Sequence, residues 1–86
     1  MKITFTADAW KDYLYWQKHD TQTLQRINEL IKDCTRSPFN GLGKPEPLRH
    51  QLQGFWSRRI NQEHRLVYQK IDGELTIISV RFHYSK

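Results

Sequence analysis

Three strand-like segments separated by only two tight turns occupy the last third of this 86-residue chain. The segments span about residues 54–61, 64–71 and 75–83, and each contains β-branched and aromatic residues. Asn-Gln-Glu at 61–63 separates the first two, and Asp-Gly at 72–73 separates the last two. Turns this short join neighbouring antiparallel strands, so we predict a three-stranded antiparallel meander.

Alternation along these segments predicts which face of the sheet packs on the rest of the protein. Most even-numbered positions are apolar and should face the core, namely Trp56, Ile60, Leu66, Tyr68, Ile78, Val80 and Phe82. Polar odd-numbered positions should form an open face, namely Ser57, Arg59, Arg65, Ser79, Arg81 and His83. Phe55, Val67 and Ile77 interrupt the alternation, so the open face should be only partly polar.

The first half of the chain predicts a short strand followed by a helix. Residues 2–5 form the strand, and a turn at 6–8 opens a helix that ends near residue 19. Trp10, Tyr13 and Leu14 follow helical spacing in this segment. We therefore expect these three side chains to face the core.

A second helix and a long loop complete the predicted elements. Asp20 or Thr21 is suited to capping a helix that ends near residue 36. Its apolar face comprises Leu24, Ile27, Leu30, Ile31 and Cys34. Barely a turn separates the two helices, so they should pack as an antiparallel hairpin. Residues 37–53 contain all three prolines and form a long loop, and such loops in compact domains usually serve a function.

The composition limits the chain to one small domain, residues 1–86, and its charge suggests a class of partner. Residues 1–43 carry six Lys and Arg against five Asp and Glu, whereas residues 44–86 carry eight against four. This asymmetry favours a polyanionic partner at the C-terminal half. The single cysteine, Cys34, indicates a reducing compartment. Because no signal peptide or membrane-spanning run is visible, we expect a cytoplasmic protein without membrane contact.

One carboxylate and one imidazole stand among arginines in the C-terminal half. Glu46 lies between two prolines, which stiffen the backbone that carries it, and His83 ends the last predicted strand. The arginines between them in the sequence are Arg49, Arg58, Arg59 and Arg65. Metal-free RNA cleavage needs a base for the 2′-OH, an acid for the 5′-oxygen and positive charge for the phosphate. These residues provide all three.

Simpler interpretations compete with this one. Glu46 is also explained as a solvated loop carboxylate, His83 as a frayed terminal residue, and each arginine as ordinary surface charge. His50 competes with His83 as acid or phosphate contact, and His19 and His64 are expected to be structural or solvated. The chain lacks Cys/His zinc spacing, a phosphate-binding glycine loop before a helix and a Ser-His-Asp pattern. We therefore expect neither a metal nor a cofactor.

Several segments make the sequence resemble a known family. The most specific are Lys-Pro-Glu-Pro-Leu at 44–48, Gly-Phe-Trp-Ser-Arg-Arg at 54–59 and His-Tyr at 83–84, and others span 12–16, 27–33 and 63–68. Over nearly its whole length the chain resembles the YoeB toxins of the RelE/ParE superfamily of bacterial toxin–antitoxin systems. The resemblance implies an α+β fold of order βααβββ, similar to small microbial ribonucleases, with a helical hairpin packed on a twisted antiparallel sheet.

The resemblance also implies ribosome-dependent endonuclease cleavage of mRNA in the A site, which inhibits translation and forms a 2′,3′-cyclic phosphate. The family's general base, phosphate-binding arginine and general acid match Glu46, Arg65 and His83. Its terminal tyrosine, which should position the substrate, matches Tyr84. The expected RNA contacts are Lys44, Arg49 and Arg59. Well-known members of the family have lysine at the position of Arg49. Arginine keeps the positive charge but replaces a point charge with a planar, bidentate group, so the geometry of the contact changes.

The partners implied by the resemblance are a YefM-like antitoxin, the 70S ribosome with its A-site mRNA, and a second copy of the chain. The C-terminal segment of the antitoxin should fold on the toxin, where it covers the basic face or displaces the C-terminal residues. Tyr15 and Trp16 are candidate contacts for one of the protein partners, and Trp16 equally suits a core position. Two rival functions are a ParE-like gyrase poison and a non-catalytic module that blocks the A site.

Overall fold

The computed structural model describes residues 1–82, in which two helices pack on one face of a five-stranded sheet. The elements are β1 (Lys2–Phe5), α1 (Ala7–His19), α2 (Thr21–Arg36), β2 (Glu46–Pro47), β3 (Trp56–Arg59), β4 (Arg65–Ile71) and β5 (Glu74–Ser79). A single 3₁₀ turn, His50–Leu52, lies between β2 and β3. The strand order across the sheet is β1-β5-β4-β3-β2.

The predicted α+β architecture is confirmed, and the meander of β3, β4 and β5 is antiparallel as expected. The sheet is nevertheless mixed, because β1 pairs with β5 in parallel. A fifth strand, β2, forms within the predicted loop and pairs with the outer edge of β3. This strand has only two residues, so no alternating pattern could reveal it.

Side-chain caps explain why the helices begin where they do. The Thr6 hydroxyl accepts a hydrogen bond from the Ala9 N–H at 3.1 Å and starts α1. Asp20 ends α1 through its own N–H, which donates to the Trp16 carbonyl, and it starts α2 by accepting from the Thr23 N–H. The Thr23 backbone N–H is also the main reason that the pKa of the Asp20 carboxyl is lowered. One residue therefore both separates and caps the two helices.

The predicted core face of α1 is confirmed only for Tyr13, which is half-buried and packs against the core. Trp10 and Leu14 are exposed, and the buried residues of this helix are Ala9 and Trp16. The small Ala9 side chain lets the helix approach the sheet closely, and the indole N–H of Trp16 donates to the buried Val80 carbonyl at 2.8 Å. Trp10 instead stacks on Tyr13 at the surface, with ring centroids 5.5 Å apart.

The core lies between the helices and the sheet. The predicted apolar face of α2 is confirmed, because Ile27, Leu30, Ile31 and Cys34 are buried and Leu24 packs against them. On the sheet, the core residues are Ile60, Leu66, Tyr68, Leu75, Ile77 and Val80, with Trp56 packed against them. Within residues 1–82, no helix is long and apolar enough to cross a membrane.

Two of the predicted core positions near the end of the chain are wrong, and the first of them, Ile78, is wrong because β5 contains an irregularity. Val67 pairs with Ser79, and the next residue, Tyr68, pairs with Ile77, so Ile78 is an extra residue. An extra residue of this kind reverses the facing of all side chains on one side of it. Ile77 therefore replaces Ile78 in the core, whereas Val80, after the extra residue, is buried as predicted. Phe82 is exposed for a different reason, because it lies beyond the end of β5 and its φ is +64°.

The burial of Cys34 leads to a prediction about its reactivity. Burial raises the pKa of this thiol to about 11, and none of its surface is accessible. The thiolate is the reactive form, so native protein at pH 8 should react with a thiol-specific disulfide reagent at least about a hundredfold more slowly than protein unfolded in guanidinium. Absorbance of the released thiolate measures both rates. Equal rates would mean that α2 opens readily from the core.

Candidate functional site

The face of the sheet opposite the helices, here called the open face, carries Glu46 in a row that crosses four strands. The register pairs Glu46 with Ser57, Ser57 with Val67, and Val67 with Ser79. Directly paired residues project from the same face of a sheet, so these side chains form one transverse row. Glu46 is exposed at the outer strand, whereas Ser57 and Val67 are buried. The carboxylate is thus presented at the rim of the open face.

Backbone hydrogen bonds fix the short segment that carries Glu46 at both ends. The Arg59 N–H donates to the Gly43 carbonyl at 2.7 Å, and the Leu48 N–H donates to the Phe55 carbonyl at 2.9 Å. Pro47 lies on the edge strand, where the absent N–H removes no hydrogen bond from the interior of the sheet. The stiff backbone expected from the two flanking prolines is therefore also anchored to β3.

Two arginines face each other in the adjacent row of the open face. Arg59 and Arg65 form a direct cross-strand pair, two residues along from the Ser57–Val67 pair. Residues two apart on a strand are separated by about 7 Å, so the arginine pair lies about one nucleotide unit from the carboxylate row. Like charges directly opposite each other are unfavourable, and a bound anion relieves that repulsion.

Arg65 is oriented by the turn that precedes its strand. Its Nη1 donates to the Asn61 carbonyl at 3.0 Å. The Asn61 side chain in turn accepts from the N–H groups of Glu63 and His64 at 2.9 and 2.8 Å. Arg65 is half-buried and Arg59 is exposed, so the pair contains one guanidinium held by the protein and one open to solvent.

The remaining predicted basic contacts and the competing histidine lie at the border of this face. Lys44 is exposed and directly follows Gly43, which is hydrogen-bonded to Arg59. Arg49 is exposed at the residue before the 3₁₀ turn, and His50 is exposed at its first position. The structure therefore brings Glu46, Arg59 and Arg65 onto neighbouring rows, with Lys44 next to them and Arg49 farther along the loop.

Arg58 does not belong to the arginine group predicted from the sequence. It has the same parity as Trp56 and Ile60, lies on the core side of the sheet and is 0% exposed. Its Nε donates to the Tyr68 hydroxyl at 3.1 Å, and its Nη1 donates to Asp33 at 2.6 Å. The sequence pattern does not reveal this role, because alternation alone does not distinguish a buried arginine from one that supplies surface charge.

The buried guanidinium of Arg58 organises the loop that leads to Glu46. It donates to the carbonyls of Ser37, Asn40 and Leu42. Gly41 has φ +115°, and a Cβ atom built on it would collide with an Asp33 carboxylate oxygen, so only glycine fits here. The loop is therefore closed around a buried ion pair, and its far end is the anchored segment of Glu46.

The two remaining predicted site residues, His83 and Tyr84, lie outside the described residues. The chain immediately before them is held beside Arg65, because the Phe82 carbonyl accepts from the Arg65 N–H at 3.0 Å. Within residues 1–82, no three His, Cys, Asp or Glu side chains converge to form a metal site. The expectations of a general acid at His83 and of metal-free chemistry stay predictions.

Two buried residues near this site received no site role from the sequence, although Ser57 was expected on the open face and His64 to be structural or solvated. Ser57 is buried between Glu46 and Val67 in the carboxylate row, and its hydroxyl has no hydrogen-bond partner in the described part of the chain. His64 is buried as well, and its Nδ1 accepts from the Phe82 N–H at 2.7 Å. The odd parity of Ser57 signalled the open face, but nothing in the sequence signalled the contact of His64.

Comparison with known proteins identifies the family. A sequence model of the YoeB-like toxin of bacterial type II toxin–antitoxin systems matches residues 5–84. The chain belongs to this family. It is 57% identical to Toxin YoeB of Escherichia coli (strain K12) over 84 residues, which cover 98% of this chain and 100% of that protein. It is 59% identical to Toxin YoeB of Synechocystis sp. over 86 residues, with 100% of both chains covered.

Solved structures agree with this assignment. The YoeB-like toxin described here matches a YoeB/ParE toxin from Agrobacterium tumefaciens with a TM-score of 0.94 and 49% identity, over 98% of this chain and 100% of that chain. It matches a chain in the heterotetrameric YoeB–YefM toxin–antitoxin complex from Staphylococcus aureus with a TM-score of 0.90 and 46% identity, over 98% of each chain. The predicted family is therefore confirmed, and the chain is a toxin of a type II toxin–antitoxin system.

Proposed function

We propose that this YoeB-like toxin is a ribosome-dependent endoribonuclease that cleaves mRNA in the A site and inhibits translation. The observation that carries the proposal is the open face, where an exposed carboxylate and a cross-strand arginine pair occupy adjacent rows. Glu46 supplies a base there, and Arg59 and Arg65 supply charge for a phosphate. An anion between these arginines also explains why two like charges face each other.

The proposed reaction is attack of the 2′-oxygen on the neighbouring phosphorus. Glu46 removes the proton of the 2′-OH, and the new P–O bond forms in line with the bond to the 5′-oxygen. His83, as imidazolium, gives its proton to the 5′-oxygen as that bond breaks. The products are a 2′,3′-cyclic phosphate and a 5′-hydroxyl. The roles of His83 and of Tyr84, which would position the substrate, derive from the family resemblance.

Positive charge on the open face would stabilise the phosphate during the reaction. Arg65 would donate to two phosphate oxygens at once, since its guanidinium is a planar fork held by the Asn61 carbonyl. Arg59 would neutralise the second side of the phosphate, and Lys44 and Arg49 would contact the flanking nucleotides. The ribosome would supply what this small face lacks, which is a message held in the in-line geometry.

We propose a YefM-like antitoxin as the partner that controls this activity, and homodimerisation of the chain. Support comes from the Staphylococcus aureus YoeB, which has been solved as a dimer and in complex with YefM. Of the two alternatives left open for Trp16, the structure supports the core position, because this residue is 6% exposed and belongs to the core. The aromatic side chain that α1 does expose is Trp10, which is the better candidate for a protein contact.

Primer extension on a defined mRNA during cell-free translation tests the proposed activity. Wild-type toxin should produce cuts at codons in the A site, with 2′,3′-cyclic phosphate ends, and should leave the same RNA intact when ribosomes are absent. Adding a purified YefM-like antitoxin should abolish the cuts. A parallel gyrase supercoiling assay should show no inhibition.

Each rival function predicts a different result in this experiment. Halted translation over intact mRNA would favour a non-catalytic block of the A site. Inhibited gyrase with intact mRNA would favour a ParE-like poison. Cutting of ribosome-free RNA at the same rate would contradict the proposed dependence on the ribosome.

A further inference from the structure

The last described residue, Phe82, is held by its backbone in an unusual conformation. Its N–H donates to His64 Nδ1 at 2.7 Å, and its carbonyl accepts from the Arg65 N–H at 3.0 Å. Its φ is +64°, in the left-handed region that bulky residues rarely adopt, although its side chain is 54% exposed. Burial of the side chain therefore does not explain the conformation. The two hydrogen bonds stabilise it, and their partners are Arg65, the first residue of β4, and His64, the residue before it.

A second contact holds the chain two residues earlier. The buried Trp16 indole donates to the Val80 carbonyl at 2.8 Å. The same indole meets the His64 ring edge-on, with centroids 4.8 Å apart. Trp16 and His64 are thus packed on each other while each binds one backbone group of the segment 80–82. We call this pair of residues the backbone clamp.

The charged side chain of Arg81, within the segment held by the backbone clamp, is turned toward α1. The Arg81 guanidinium lies 3.4 Å from the centroid of the Tyr15 ring. Burial raises the pKa of the Asp12 carboxyl, and this shift is opposed by the Val80 N–H and by Arg81. Arg81 therefore faces the helix, so the odd-numbered pattern that assigned it to the open face does not hold at this position.

The hydrogen bond from Phe82 defines the tautomer of His64. Because Nδ1 accepts, the ring proton must reside on Nε2, which lies 3.6 Å from a Glu63 carboxylate oxygen. A buried histidine with a fixed tautomer that accepts a hydrogen bond from one backbone N–H is suited to orienting a chain. The residue that follows the oriented chain in the sequence is His83.

We propose that His64, supported by Trp16, is a positioning residue for the general acid of this toxin. The proposal rests on the nuclease activity proposed above and on His83 as its acid. His64 would not touch the RNA. It would hold the Phe82 N–H so that the chain leaves β5 in one direction, which fixes where the imidazole of the next residue can lie.

The test compares leaving groups in single-turnover cleavage of A-site mRNA on stalled ribosomes. One message carries the natural 5′-oxygen at the scissile position, and the other carries a 5′-bridging sulfur, whose thiolate departs without an acid. His64→Ala removes the acceptor for Phe82. His64→Asn retains an oxygen acceptor near the place of Nδ1. His19→Ala, at an exposed histidine of α1, is the matched control.

His64→Ala should cut the natural message about 10²-fold more slowly than wild type, since positioned acids contribute about 10²–10⁴-fold. Its rate on the sulfur message should be within about threefold of wild type, and His64→Asn should recover most of the rate on the natural message. Trp16→Phe, which keeps an aromatic ring but lacks the donor, should show a smaller defect of the same kind. Thermal unfolding followed by circular dichroism confirms which variants are folded at the assay temperature.

Several outcomes would overturn the positioning role. The role is contradicted if His64→Ala cuts the natural message at the wild-type rate. It is also contradicted if His64→Ala loses the same factor in rate on both messages, because that result would indicate general damage to the fold. If His64→Ala is unfolded, His64→Asn and Trp16→Phe decide the question, and wild-type rates in both overturn the proposal. If wild type itself cuts neither message, the nuclease proposal fails, and the positioning role fails with it.

Discussion

Replacing Glu46 with Gln should lower the single-turnover rate of A-site cleavage by about 10²–10⁴-fold, which is the usual contribution of a general base. Glutamine has nearly the same shape as glutamate, but it cannot accept the proton of the 2′-OH. The side chain is exposed on a two-residue edge strand, so the variant should be as stable as wild type within about 0.5 kcal/mol. Quenched reactions on a defined A-site message measure the rate, and urea unfolding measures the stability.

Glu29→Gln is the matched control, since Glu29 is also exposed but belongs to α2 on the other side of the sheet. It should cut at the wild-type rate. If Glu46→Gln cuts as fast as this control, the carboxylate has no chemical role, and the arginines beside it on the open face would act in binding alone. If Glu46→Gln still halts translation while the mRNA stays intact, binding and cleavage are separable functions of the same face.

The fold could be predicted from sequence wherever local signals were strong. The structure confirms the predictions that depend on a few neighbouring residues, namely the helix start at 6–8, the cap at Asp20, the apolar face of α2 and the two tight turns. The predictions that were wrong concern features that depend on contacts between residues far apart in the sequence. The position of the core face of α1 was decided by the fit of Ala9 to the sheet and by the hydrogen bond of Trp16 to Val80, 64 residues away.

The candidate site was predictable to a similar extent. Alternation placed Arg59 and Arg65 on one face, and the register confirms that they are paired. The same alternation failed on the N-terminal side of the irregularity at Ile78, where Ile77 faces the core, because a single extra residue reverses the faces of a strand. The prediction that grouped Arg58 with the exposed arginines was wrong for another reason. Its burial is tolerated only because Asp33, Tyr68 and three loop carbonyls converge on it, and no local pattern encodes that convergence.

Replacing Arg58 with Met should destabilise the fold by about 3–5 kcal/mol, the usual effect of removing one partner of a buried ion pair. The substitution leaves the Asp33 carboxylate, the Tyr68 hydroxyl and the loop carbonyls without their shared donor. For a domain of this size the midpoint of thermal unfolding should fall by at least about 12 °C, at about 4–8 °C for each kcal/mol. Urea unfolding at one fixed protein concentration, followed by circular dichroism, measures the change.

Arg36→Met is a stringent control because Arg36 pairs with the same carboxylate. Its side chain is 79% exposed and lies 3.4 Å from Asp33, whereas that of Arg58 is fully buried at 2.6 Å. An exposed pair of this kind contributes about 0–1 kcal/mol, so the free energy of unfolding of Arg36→Met should be close to that of wild type. Arg58→Lys keeps the charge but not the planar fork, and its stability should lie between those of Arg58→Met and wild type. Equal effects of Arg36→Met and Arg58→Met would contradict the role assigned to burial.

Lowering the pH should narrow the difference in unfolding free energy between wild type and Arg58→Met. The Leu42 N–H and then the Arg58 guanidinium hold the pKa of Asp33 below its ordinary value of 3.8. A lowered pKa adds stability that is present above the unfolded-state value and is lost as the pH falls through the folded-state value. Wild type has more of this stability to lose than the variant, so the two unfolding free energies should approach each other below about pH 4. The Arg58 guanidinium also holds the loop carbonyls, which do not titrate, so part of the difference in unfolding free energy should persist in acid. This remaining difference measures how much of the Arg58 contribution comes from closing the loop that carries Glu46.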